Sequence, residues 1–183
     1  MGLLEKIKEN IFLIPAERFE GLTKDPGYKD SFVYLLACLA ISIPIRIIVG
    51  LLGIGDITLL ITATIIGVIF SIPIFYVGYI ILHILLKLVG AKEGLSKTVQ
   101  VFIYGGTCAL IFGSIPLIGF IAGLISLVNI VVGAAKVHKI SNLRAAIAVV
   151  VIPIIVGIVL AIAFVGLIAA ALTSVAAGST YTY

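Results

Sequence analysis

Apolar positions in this chain come in two textures. Near the start they recur at helical spacing between charged residues, at Leu3, Leu4, Ile7, Ile11 and Ile14, and the stripe ends at Pro15. That spacing predicts a short amphipathic helix. Beyond residue 32 the apolar positions merge into five runs with no polar face, about Val33–Leu52, Ile57–Leu86, Thr98–Ile115, Leu117–Ala135 and Leu143–Leu172. A helix needs about 20 residues to cross roughly 30 Å of hydrocarbon, so each run predicts a membrane-spanning helix. The second run is longer than a perpendicular span requires, and tilt or a kink at Pro73 is expected. The third is the weakest and meets the fourth across Gly113-Ser114-Ile115-Pro116, which predicts a tight hairpin. A re-entrant hairpin in place of two full spans fits the same flanks.

The predicted fold class is therefore all-α, a polytopic transmembrane bundle of five helices behind a short N-terminal amphipathic helix. Residues 1–32 form a water-facing segment, 33–172 the transmembrane domain and 173–183 a short external tail. The amphipathic stripe fits two placements, on the membrane surface or against the bundle itself.

Composition strengthens the case. Of 183 residues 62% are hydrophobic and 11% charged, against about 25% charged in an ordinary soluble domain. Too little charge is present to cover a soluble surface of this size, so the solvent is lipid. The net charge of +4 resides in short connections with no basic stripe interleaved with aromatics, which argues against nucleic acid as a partner. The start, MGLLEKIKEN, has neither the layout of a signal peptide nor Ser or Thr at position 6 for myristoylation.

Lys and Arg set the orientation. Lys6, Lys8, Arg18, Lys24 and Lys29 precede the first span, Lys87, Lys92 and Lys97 follow the second, and Lys136, Lys139 and Arg144 follow the fourth. On a five-helix path all of these fall on one side, and the positive-inside rule makes that side cytoplasmic. A cell-membrane protein with a cytoplasmic N-terminus and an external C-terminus is expected.

Candidate chemistry is sparse. Arg46 is the charged residue deep within a span, and an intramembrane cation is by default a functional candidate. It can also snorkel outward or pair with Asp56. His83 and His138 fall near the inner edge, where with Glu93 they could converge, but no ligand spacing supports a metal. His83 is expected among the polar ends of the bundle and His138 in a solvated loop. Cys38 and Cys108 lack metal or redox spacing and differ in depth, so they read as small core residues.

The fourth run places Gly119, Gly123, Ser126, Asn129 and Gly133 on one face, a candidate surface for close helix packing. Mid-span Asn129 needs a hydrogen-bonding partner on a neighbouring helix. Candidate kinks are Pro44, Pro73, Pro116 and Pro153, the first three each in a Ser-Ile-Pro triplet. No nucleophile elbow, P-loop or carboxylate pair occurs, so neither enzymatic activity nor a cofactor is expected.

Several short motifs carry a family resemblance. They are Gln100, Phe102 and Tyr104 in the third run, Ile115-Pro116-Leu117-Ile118-Gly119 at the hairpin, Gly133, and His138-Lys-Ile-Ser-Asn-Leu-Arg-Ala145 before the fifth run. Upstream, Pro15, Phe19 and the stretch from Pro26 to Tyr34 add to them. The chain resembles compact prokaryotic members of the Yip1 domain family. The resemblance implies five transmembrane helices, a cytoplasmic N-terminus and little chemistry. Eukaryotic relatives are associated with vesicle traffic through prenylated Rab GTPases, but the short N-terminal segment here weakens the case for a small-GTPase partner. The expected role is a non-enzymatic scaffold or membrane-organisation factor, associating with itself or other membrane proteins in the lipid bilayer. The alternative is a small permease or channel using Arg46, Asn129 and the kinked helices.

Overall fold

The computed structural model describes residues 2–24, 28–52, 56–159, 161, 162, 164 and 165. The described residues form helices joined by short turns. Two short ones, α1 (Leu3–Asn10) and α2 (Ala16–Leu22), precede the long α3 (Lys29–Leu51) and α4 (Ile57–Leu88). Then come α5 (Leu95–Gly105), α6 (Thr107–Phe112) and α7 (Ile118–His138). Last is α8 (Asn142–Val159), which widens into a π-helical turn at Ile147–Val151. Four of these, α3, α4, α7 and α8, are long and apolar enough to cross a membrane. The remaining pass is made by α5 and α6 in succession. The predicted tail 173–183 and the end of the fifth run lie outside the described residues.

The expected third span is thus not one helix. It breaks at Gly106, where a Cβ would stand 2.6 Å from the Phe102 carbonyl oxygen. Its weakness as an apolar run has a structural cause, because this pass is the centre of the bundle. Every residue from Thr98 to Gly105 is buried, and α3, α4 and α7 all pack on α5. A helix enclosed by protein can carry Thr98, Gln100, Tyr104 and Thr107, whereas a helix facing hydrocarbon could not satisfy them. The outer helices show the converse. α4 buries only Leu60, Thr64, Tyr79 and Leu86 along its length, and its large exposed side chains between Ile57 and Ile84 are Ile, Leu, Val and Phe. Core and exterior are both apolar, so packing shape and hydrogen bonds, not hydrophobic contrast, hold these helices together.

Turns are tight where α6 meets α7. The Ile118 amide donates to the Pro116 carbonyl at 2.7 Å and the Gly119 amide to that of Ile115 at 2.6 Å, with Leu117 at φ 64°. A Cβ on Gly119 would lie 2.5 Å from the Gly113 oxygen, so glycine is required there. At the other end of α7, Lys139 adopts φ 55° and the Ile140 amide reaches back to Ala135 at 3.0 Å, a left-handed helix stop. The Ser141 hydroxyl then caps α8 by accepting from the Arg144 amide.

All three lysine-bearing connections meet at one end of the bundle, as the charge pattern requires. The Lys92 amide donates to the His138 carbonyl. Lys139 stands 3.9 Å from Glu93 and Lys136 stands 3.3 Å from Glu20, while the Lys97 ammonium donates to the Thr23 carbonyl.

Against that end the N-terminal segment folds back as a helical hairpin. Pro15 stops the first stripe, and its φ of −56° also starts α2. Ile7 and Ile14 are buried against the bundle, while Leu3 and Leu4 are exposed. Arg18 on one arm pairs with Glu9 on the other.

Candidate functional site

The small and polar face of α7 comes apart into four separate tasks and one open position. Gly119 permits the hairpin described above. Ser126 accepts a hydrogen bond from the Ala109 amide at 2.9 Å, supplying an acceptor where the break at Gly106 interrupts the helical ladder. Asn129 is 1% exposed, but its partners are not on a neighbouring helix. Its Nδ2 donates to the Phe12 carbonyl at 2.8 Å and its Oδ1 accepts from the Ile14 amide at 2.9 Å. The loop between α1 and α2 has no helical ladder of its own, and one amide side chain satisfies one of its donors and one of its acceptors. Gly133 receives the Phe19 ring of α2, whose Cε1 would stand 2.6 Å from a Cβ at that position. Only at Gly123 would a Cβ meet nothing within 4 Å.

A second set of polar contacts ties the same hairpin to α3 and α6. The Asn10 amide donates to the Tyr34 hydroxyl at 3.2 Å, Tyr34 meets Thr107 at 2.8 Å, and Thr107 donates to the Tyr104 carbonyl at 2.7 Å. Because Thr107 commits its proton to Tyr104, Tyr34 is the donor in the middle step. Lys6 of α1 lies 5.7 Å from the centroid of the Tyr104 ring, within cation–π range.

The histidines differ from expectation. His138 is fully buried rather than solvated, because it is the last residue of α7 and faces the start of α5. The Thr98 hydroxyl lies 2.9 Å from its Nε2 and 2.7 Å from Nδ1 of His83. A hydroxyl has one proton, so Thr98 donates to one ring and accepts from the other. Glu93 does not join them but faces Lys139. Among the described residues no three His, Cys, Asp or Glu side chains are grouped to hold a metal. Cys38 and Cys108 are buried free thiols.

Arg46 lines a cavity of about 330 Å³ between α4 and the α6–α7 hairpin. Phe75, Tyr79, Phe102, Leu127 and Ile130 form apolar walls, and Gly106 and Gly123 leave room. The Nε of Arg46 is buried without a hydrogen-bond partner. Asp56 does not pair with it, since its carboxylate caps α4 by accepting from the Thr58 and Leu59 amides.

Pro44 and Pro73 lie inside α3 and α4. The preceding serines follow one pattern, Ser42 donating to the Leu39 carbonyl and Ser71 to that of Val68, each at 2.7 Å. Those oxygens sit one position before the carbonyls, of Ala40 and Ile69, that the prolines deprive of a donor. Pro116 is in the hairpin turn. Pro153 follows the π turn, whose Ile152 amide donates to Ile147 five residues back, a spacing that eases the clash of a proline ring with the preceding turn.

Sequence reasoning passed over Asn10, Tyr34, Thr98 and Thr107. For Thr98 and Thr107 the one signal was polarity in the weakest apolar run, and Asn10 and Tyr34 lie outside it.

Comparisons with known proteins fit this picture. Neither the curated proteins nor the solved structures include a match to the chain. A family model described as the Yip1 domain matches residues 10–165, a range that runs from the first residue of the Asn10–Tyr34–Thr107 relay to the last described residue of the bundle. The chain is a multi-pass membrane protein and belongs to the Yip1 domain family.

Proposed function

We propose that this protein is a non-enzymatic membrane scaffold that acts by lateral association with itself or with other membrane proteins, its lysine-bearing end in the cytoplasm. The observation that carries this reading is the engagement of Asn129 at both ends by the backbone of the N-terminal loop. Ser126, Tyr34 and Thr107 likewise have partners within the fold. A permease would keep such mid-span groups free to replace the hydration of a solute. Meanwhile long stretches of α4, from Ile57 to Ile84, and of α8, from Val151 to Val159, present large apolar side chains outward, the surface through which a bundle meets other helices.

Extraction into native nanodiscs followed by mass measurement tests the reading. Particles are expected to hold more than one membrane polypeptide. Particles with a single copy and no other protein, together with solute flux in liposomes that Arg46→Ala reduces, would overturn it in favour of a small permease or channel.

A further inference from the structure

The cavity beside Arg46 has a chemistry that the scaffold reading does not use. A guanidinium in a membrane interior is expensive and is normally found paired or at an interface. Here Arg46 has no hydrogen bond or ion pair to any described residue, and its Nε is buried. The walls beyond it are almost wholly apolar, with Phe75, Tyr79 and Phe102 prominent. A volume of about 330 Å³ is at the low end of the range for ligand sites, roughly 300–1,000 Å³.

The depth of each group sets an order along the membrane normal. Arg46 lies five residues before the end of α3 that is remote from the lysines, or roughly 7 Å at 1.5 Å per residue. Tyr79 and Phe102 lie nearer the lysine-bearing end, toward the finish of α4 and in the first half of the pass made by α5 and α6. A cation thus stands at the outer end of an apolar slot that runs inward from it.

We propose that this slot is a lipid site, in which Arg46 holds the phosphate of an acidic phospholipid from the leaflet remote from the lysines and one acyl chain lies along Phe75, Tyr79 and Phe102. The charge of Arg46 calls for an anion, and the aromatic walls call for a hydrocarbon chain attached to it. Guanidinium and phosphate pair through two parallel charge-assisted hydrogen bonds. Inorganic phosphate alone would leave the walls uncovered. The site does not depend on self-association, and a monomer would bind the lipid equally.

The test uses the full chain, purified in detergent, stripped of lipid and titrated with phosphatidylglycerol, phosphatidylcholine or inorganic phosphate while bound lipid is read by native mass spectrometry. Phosphatidylglycerol is expected to bind about tenfold more tightly than phosphatidylcholine, and Arg46→Gln to abolish that preference. Gly123→Leu, which enters open space, is expected to reduce binding of both lipids. Equal binding of the two lipids by the unaltered chain, or a preference that survives Arg46→Gln, would overturn the proposal. So would stabilisation by inorganic phosphate alone that matches the lipid. A measurement on the unaltered chain guards against variants that fail to fold. Phosphatidylglycerol with a photoreactive group in its acyl chain is expected to label peptides containing Phe75, Tyr79 or Phe102, and labelling spread evenly over the outward faces of α4 and α8 would contradict the site.

Discussion

The side-chain oxygen of Asn129 lies 2.9 Å from the backbone nitrogen of Ile14, 115 positions earlier in the chain. Through this contact and its companion to Phe12, one residue of a membrane-spanning helix fixes the tip of the N-terminal hairpin. Asn129→Ala would strand a buried donor and a carbonyl together, and a loss of about 2 kcal/mol is expected. Hydrogen exchange should show Ile14 losing protection before the long helices do. Asn129→Asp, which keeps the acceptor for Ile14, should restore part of it.

Gly133 and Phe19 form a matched pair. A methyl group at 133 would press into the ring at 2.6–2.9 Å, so Gly133→Ala is expected to destabilise the docked hairpin by about 1–3 kcal/mol. Pairing it with Phe19→Leu should recover much of the loss in a double-mutant cycle read by unfolding in mixed detergent. Strictly additive effects would mean that the ring does not seat on Gly133.

The break at Gly106 depends on Ser126. Ser126→Ala removes the acceptor for the Ala109 amide and is expected to cost about 1 kcal/mol, with faster exchange confined to Ala109 and its neighbours. Uniformly faster exchange over α6 and α7 would point to a loss of packing instead.

Joining both histidines, Thr98 is a single point of attachment between the ends of α4 and α7. Thr98→Val keeps the shape and removes the hydroxyl, so the imidazole resonances of His83 and His138 should both shift in NMR spectra. A shift in one ring alone would contradict the shared contact.

Topology is open to direct labelling. Cysteines placed at Lys92 and Lys139 should react with a membrane-impermeant thiol reagent from one side, and a cysteine at Ile57 from the other. The native Cys38 and Cys108 are buried and should stay silent.

Much of this architecture was legible in the chain. Apolar run length gave the number of passes, and the alternation of lysine-rich with uncharged connections put Lys92, Lys97, Lys136 and Lys139 at a common end. The hairpin at Gly113–Pro116 was marked by its glycine and proline. What could not be read was which polar side chain meets which distant backbone. Asn129 announces that it needs partners, but nothing local says that they are Phe12 and Ile14. His138 looked like a loop residue because it borders Lys139, and only the packing of α5 against α7 encloses it. The burial of Ile7 and Ile14 likewise depended on a surface that the stripe itself does not describe. Arg46 stood out in the sequence as a lone cation, whereas the slot around it arises from α4 standing apart from the α6–α7 hairpin.

The enclosure of Thr98–Gly105 on every side also bears on how the protein is made. A translocating ribosome delivers passes in order, and this one arrives before α7 exists to cover it. Before α7 arrives Thr98 has His83 but not His138, and the buried Gln100 would face lipid on the side that α7 later covers. So the pass is expected to linger at the insertion machinery until its successor emerges, the two then leaving as a unit. Truncation after residue 117 should therefore leave residues 98–105 crosslinked to the insertion machinery, and extension through residue 138 should release them.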